Sequence, residues 1–158
     1  MIDSMKSANI ETKFVNPLMG DVIPLPSYAT DGSAAMDLRA CVKEPIEIKP
    51  GETVLVGSGI AINIKDPNLV GIIVPRSGLG INKGIILANT VGVIDSDYQG
   101  EIKIGLFNRG QNPYIVKPAE RICQMLFMPV TKVTLTVVRE FSNTTNRGSG
   151  GFGHTGRE

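Results

Sequence analysis

The chain has 158 residues, of which 42% are hydrophobic, and its formal net charge is +1. It is long enough for one domain with a real core, and the near-zero charge leaves no electrostatic footprint for nucleic acid or an acidic membrane surface. Two cysteines without a C-x-x-C pair, and a single histidine without metal-ligand company, argue against a zinc site.

Residues 1–10 read as a polar lead without the apolar core of a signal peptide. No apolar run approaches the length needed to span a bilayer, so the sequence reads as that of a soluble, cytoplasmic protein. From there on, 18 glycines and 10 prolines cut the chain into pieces too short for stable helices. Asp37 stands between Met36 and Leu38, where a charge needs a reason. Thr53 to Val56 is a strand candidate, and Ile60, Ile62 and Ile64 share one face of the next. Leu69 to Val74 follows. After Pro75 comes the only expected helix, a short turn around Gly78 to Asn82. Ile85 to Leu87, then Ile102, Ile104 and Leu106, then Arg121 to Phe127, continue the strand pattern, and Val133, Leu135 and Val137 alternate as well. Cys41 and Cys123 each lie in an apolar run and read as buried free thiols. Many short strands between turns predict an all-β, single-domain β-barrel or jelly roll.

The densest chemistry lies in Val93-Ile94-Asp95-Ser96-Asp97-Tyr98-Gln99-Gly100-Glu101. Two apolar residues run into two carboxylates, an aromatic ring and a glycine, and then alternation resumes. The pattern predicts a hairpin with acid groups and a ring at its tip. A carboxylate held there can orient or deprotonate a water, and the ring can pack on a ring-shaped ligand. Asp95 and Asp97 are rivals for the base, and a carboxylate that only caps its own turn is the plain alternative. The tail from Ser142 to Glu158 is crowded with glycine, a composition that ordinarily means disorder. Arg147 and Phe152 within it suit an arm that folds over a ligand, with charge for a phosphate and a ring for a base.

Five segments stand in order: Gly32-Ser33-Ala34-Ala35-Met36-Asp37-Leu38-Arg39-Ala40; Pro75-Arg76-Ser77-Gly78-Leu79-Gly80; Asn89 to Glu101; Glu120-Arg121-Ile122-Cys123-Gln124-Met125; and Arg147 to Gly156. In this order the chain resembles the trimeric deoxyuridine triphosphatases (dUTPases) of bacterial type, from about Pro24 to the C-terminus. The resemblance implies hydrolysis of dUTP to dUMP and pyrophosphate, which keeps uracil out of DNA and supplies dUMP for thymidylate synthesis. It favours Asp95 as the residue that orients the attacking water at the α-phosphorus. An ordinary aspartate, with a pKa near ~3.9, is a weak base at neutral pH, so orientation should be most of its contribution.

The other roles are likewise implied by the resemblance. Tyr98 would pack on the deoxyribose and leave a 2′-hydroxyl clashing or unpaired. The hairpin backbone would read uracil as adenine's edge does, with Asn89 close to the base and Val93, Ile94 and Lys103 in mainly backbone contacts. Arg76, Ser77 and Gly78 would grip phosphates, joined by Gln124, for which a structural hydrogen bond within the sheet is the alternative. Asp37 would reach a triphosphate-bound Mg2+ through water; the alternative is an ion pair with Arg39 or a neighbour. Arg147 would bind the γ-phosphate end, and Phe152 would stack on uracil.

The family pattern also implies a homotrimer whose sites take the hairpin from one subunit, the phosphate segments from a second and the arm from a third. Neither nucleic acid nor membrane is an expected partner. The chain divides into the lead 1–10, a β-domain 11–141 and an arm 142–158. Ala35 and Ala88 stand where glycine is frequent in the family, a tolerable change where φ is negative. Cys123 stands beside Gln124, where an accessible thiol would make the site sensitive to alkylation. A dCTP deaminase on the same fold and a dUTP-binding regulator are the rival functions; the first usually carries a tryptophan where this chain has Tyr98.

Overall fold

A computed structural model describes residues 8–151 of the chain. The short apolar pieces become short strands, because a strand of few residues is stable once neighbours supply its hydrogen bonds. In chain order they are β1 (Glu11–Phe14), β2 (Met36–Arg39), β3 (Ile46–Ile48), β4 (Thr53–Asn63), β5 (Leu69–Pro75), helix α1 (Ser77–Asn82), β6 (Ile85–Leu87), β7 (Gly92–Ile94), β8 (Glu101–Asn108), β9 (Tyr114–Val116) and β10 (Arg121–Pro129). One sheet has the order β1-β4-β8-β6, the other β2-β10-β5-β7, and β3 pairs with β9 alone. All of these pairings are antiparallel.

The period-two alternation predicted the inward faces. Ile60, Ile62, Ile64, Ile102, Ile104 and Leu106 are all buried, and they meet Leu38, Ile73, Ile122 and Met125 of the second sheet in one apolar cluster. Each such side chain contributes about 1.5–3 kcal/mol on burial, which holds the two sheets face to face. The one fully enclosed asparagine, Asn108, is completely paired among the described residues. Its Nδ2 donates to the carbonyls of Ile48 and Asn112 at 2.8 Å each, and its Oδ1 accepts from the Gly110 N–H at 2.8 Å. The β4–β8 ladder is interrupted between Gly57 and Ala61, which pair with Lys103 and Glu101. The chain passes that bulge through Gly59 at φ +78°, where a Cβ would stand 2.5 Å from the Cys41 Sγ, so only glycine fits.

Three expectations change. The barrel alternative is not realised, because the two sheets stay open. The alternating residues Val133, Leu135 and Val137 form no strand and are 75%, 90% and 98% exposed. A period-two pattern needs a partner edge, and no described strand lies beside them. The hairpin is a crossover instead: β7 pairs with β5 in one sheet, while β8 pairs with β4 and β6 in the other. Among the described residues, no helix is long and apolar enough to cross a membrane.

Candidate functional site

The second sheet assembles the residues assigned to phosphate. β10 lies between β2 and β5, with Gln124 opposite both Asp37 and Val74. Arg121 donates from Nη1 to Asp37 Oδ2 at 3.1 Å. The Arg76 Nε lies 3.0 Å from Oδ1 but is not aimed at it, so Oδ1 is buried without a hydrogen bond. Arg76 instead donates from Nη1 to the Arg121 carbonyl at 3.1 Å. Asp37 therefore pairs with Arg76 and Arg121 and not with Arg39, which donates to the Ala119 carbonyl at 2.8 Å.

Gln124 is half-buried, and its amide takes no side-chain hydrogen bond from the described residues. With Asp37, Ser27 and Ser33 it lines a cleft of about 240 Å³. Ser77 and Gly78 follow Arg76 directly, at the exposed start of α1. No side chain caps that helix. A Cβ at Gly78 would meet nothing within 4 Å, so the protein's own packing does not require glycine there and the space stays open.

Among the described residues, no three His, Cys, Asp or Glu side chains gather as a metal site. A single carboxylate already paired with two arginines does not make a retained-ion site by itself; Mg2+ characteristically keeps several waters and is held by few carboxylates plus substrate phosphates. Cys123, wholly buried next to Gln124, has its thiol pushed up to about 12, first by burial and then by the negative charge of Asp37. It is thus the packed thiol that its apolar run predicted, and without access it does not make the site sensitive to alkylation.

Asn89, Val93, Ile94 and Lys103 gather at the gap between β7 and β8. Because these strands belong to different sheets, no ladder pairs their facing backbone groups. A cleft of about 320 Å³ opens there, lined by Asn89, Val93, Ile94, Lys103 and Gly105 among others. Asp95 follows Ile94 and is exposed. Its carbonyl closes the turn by accepting from the Tyr98 N–H at 3.1 Å, so the turn is closed by backbone and not by the carboxylate. Asp97 is exposed as well, two residues further from the cleft. Tyr98 donates its hydroxyl to the Glu101 carbonyl at 3.0 Å. The two clefts share no lining residue. Arg147 is exposed, and its Nε donates within its own loop to the Gly150 carbonyl at 2.9 Å. Phe152 lies outside the described residues.

Three supports of these clefts leave little trace in sequence. Arg121 stood in a noted segment but without a role of its own. Tyr114 donates to Glu120, whose other oxygen accepts from the Lys117 N–H at 2.8 Å, and this holds the turn that leads into Arg121. The same contact and burial raise the Tyr114 pKa, burial more than the contact. Thr90 has φ +62° beside Asn89, a strained setting for a β-branched residue. Ala35 and Ala88 are not at positive φ, so neither alanine is strained.

Comparison with known proteins identifies the family. A family model described as dUTPase matches residues 21–156. The chain is 51% identical over 149 residues to the deoxyuridine 5'-triphosphate nucleotidohydrolase of Klebsiella pneumoniae strain 342, covering 94% of this chain and 97% of that protein. It is equally similar to the Escherichia coli K12 / DH10B protein of the same name, with 94% and 98% covered. Among solved structures, the fold matches the Staphylococcus bacteriophage 80alpha dUTPase with dUPNHPP at a TM-score of 0.84 and 21% identity, over 95% of this chain and 99% of that one. It also matches a dUTPase from phage phi11 of S. aureus, described with a structural Mg(II) ion, at a TM-score of 0.75 and 17% identity, over 85% and 99%. With the family model spanning nearly the whole β-structure and half of all residues shared with bacterial relatives, the chain belongs to the dUTPase family.

Proposed function

We propose that the chain hydrolyses dUTP to dUMP and pyrophosphate, in the cytoplasm, and so limits uracil in DNA while supplying dUMP. The observation that carries this is the gap between β7 and β8. Backbone donors and acceptors that would be consumed in a ladder are left facing a cleft, with Asn89 at its rim. Paired N–H and C=O groups can satisfy the polar edge of a planar base. Asp95 next to the cleft orients the water, and Tyr98 covers the sugar.

The phosphate chain lies along Arg76, Ser77, Gly78 and Gln124. Magnesium is part of the substrate: it arrives on the triphosphate, and Asp37, now paired with Arg76 and Arg121, would reach its water shell once the phosphates take over Arg76. When bound, the ion neutralises charge on the phosphates. The Arg76 guanidinium and the Ser77 hydroxyl stabilise charge on the departing pyrophosphate. Arg147 and Phe152 belong to the arm 142–158, which closes on the γ-phosphate and the uracil and excludes bulk water.

A complete site needs more than one copy of the chain. In one protomer the base cleft and the phosphate cleft are separate. The strand-patterned segment at Val133 to Val137 leaves apolar side chains unpartnered, as expected for a piece of the β-domain 11–141 that finds its edge on a neighbour. A homotrimer sharing its sites accounts for both features.

The test is pyrophosphate release from dUTP, dCTP, dTTP and UTP with magnesium. Release from dUTP alone is expected. Ammonia from dCTP would move the activity to a deaminase, and tight dUTP binding without turnover would point to a regulator.

A further inference from the structure

Tyr98 is 44% exposed, yet it is held in place. Its hydroxyl donates to the Glu101 carbonyl at 3.0 Å. Its ring lies over Gly100 so closely that a Cβ there would stand 2.5 Å from the phenol oxygen, 2.7 Å from Cζ and 3.1 Å from Cε2. Gly100 is not among the glycines at positive φ. Its missing side chain therefore serves the ring and not the turn. Glu101 is anchored in its own right. Its Oε1 accepts the Gly59 N–H at 3.1 Å inside the β4 bulge, and a Cβ at Gly57 would sit 2.4 Å from that oxygen. The bulge thus holds Glu101, Glu101 holds the Tyr98 hydroxyl, and Gly100 makes room for the ring.

An exposed aromatic ring on a crossover loop would otherwise sample several rotamers. Here it is seated on the protein before any ligand arrives. A fixed ring face offers a 2′-hydroxyl neither space nor a hydrogen-bond partner, and an unpaired hydroxyl is costly. A ring free to tip away would admit it.

We propose that Gly100 is a positioning residue that acts through Tyr98, and that the seating of the ring over Gly100 sets the discrimination between deoxyribonucleotide and ribonucleotide. It rests on dUTP hydrolysis by this chain with Tyr98 at the sugar, and adds the residue that seats the ring. Glu101 is part of the same device through its carbonyl, while its carboxylate ties the device to β4.

The experiment measures kcat/KM for dUTP and for UTP with magnesium, in the wild-type chain, Gly100→Ala and Tyr98→Phe. In Gly100→Ala the methyl group displaces the ring, and the dUTP-to-UTP ratio is expected to fall about tenfold or more, within the range by which a misfitted hydroxyl is rejected. Tyr98→Phe keeps the ring and removes its anchor, so a smaller fall in the same direction is expected. General damage to the fold would lower both substrates together and leave the ratio unchanged. A ratio within about twofold of wild type in both variants, with dUTP still hydrolysed, overturns the inference, since the penalty for the hydroxyl would then not depend on the seating. If Gly100→Ala does not fold, Tyr98→Phe decides alone, and an unchanged ratio again overturns it. Absence of dUTP turnover in the wild-type chain is a different result: it removes the activity itself, and the inference with it.

Discussion

Arg121 donates from Nη1 to Asp37 Oδ2 at 3.1 Å and so joins the start of β10 to β2. The register between these strands shifts between Arg121 and Cys123, and such a bulge re-aims a side chain. With Arg76 Nε 3.0 Å from the other carboxylate oxygen, two guanidinium groups share one carboxylate. The trio keeps a net positive charge beside the cleft of Asp37 and Gln124, where a polyphosphate would lie. Asp37→Ala would leave both cations uncompensated. Because all three side chains keep some solvent exposure, the expected loss is about 1–2 kcal/mol and not the larger cost of a fully buried pair. Urea unfolding measures it, and an unchanged midpoint would show that the pairs are dispensable.

Asp95→Asn is expected to separate activity from stability. The side chain is exposed, and the turn beside it is closed by backbone, so the melting curve should shift by no more than about 0.5 kcal/mol in stability. Pyrophosphate release from dUTP should drop by about 10²–10⁴-fold. Full turnover in Asp95→Asn would transfer the role to Asp97, and the matching Asp97→Asn chain would show it.

Removal of residues 148–158 should leave the β-structure intact, since among the described residues the last strand ends at Pro129 and the core cluster contains nothing from the tail. Far-UV circular dichroism should match that of the full chain. Turnover should fall sharply, because closure over the triphosphate is lost. Near-normal kinetics from the shortened chain would refute the closing role of the removed segment and of Phe152 within it.

Both thiols should resist iodoacetamide in the folded protein at neutral pH and react once it is unfolded, since Cys41 and Cys123 are buried and burial raises both pKa values. A pH effect follows. Below the ordinary thiol value of 9.0 both folded and unfolded chains keep the Cys123 proton. Above it the unfolded chain releases the proton while the folded chain holds it up to about 12. Stability should therefore decline as pH rises through that window, and Cys123→Ala should show a shallower decline in denaturant titrations at alkaline pH.

Ala119 has φ +60°, a conformation that costs an L-residue roughly 1 kcal/mol relative to glycine. Its carbonyl accepts from Arg39, and its N–H donates to the Ala40 carbonyl at 3.0 Å, so the backbone is held there from both sides. Ala119→Gly is expected to relieve the strain and raise the melting temperature by a few degrees. A lower melting temperature would mean that the flexibility gained by the unfolded chain outweighs the strain removed.

Much of this molecule is legible in its sequence. Ile102, Ile104 and Leu106 turn inward because strand side chains alternate and water repels the apolar ones. The helix appears where Pro75 and the glycines end a strand. The residues carrying phosphate and base chemistry were legible as types and in order, because short polar segments interrupt otherwise apolar strands. Their partners were not. Nothing local in Arg121 announces Asp37, 84 positions away, and nothing at Thr90 or Ala119 announces positive φ.

What the sequence by itself determined is the longer strands β4, β5, β8 and β10 with the short β6, the faces that alternation buries, the family and the inventory of reactive groups, since these depend on composition, short-range periodicity and motif order. Only the tertiary structure decided that β7 and β8 belong to different sheets and leave a cleft between them. It likewise decided that Asp37 is shared by two arginines, that Tyr98 is seated on Gly100, and that Val133 to Val137 finds no edge among the described residues. The reason is that hydrogen-bond partners in a sheet are non-local. The same alternating piece can pair, cross over or stay bare, and which of these happens depends on the edges that the rest of the chain leaves free.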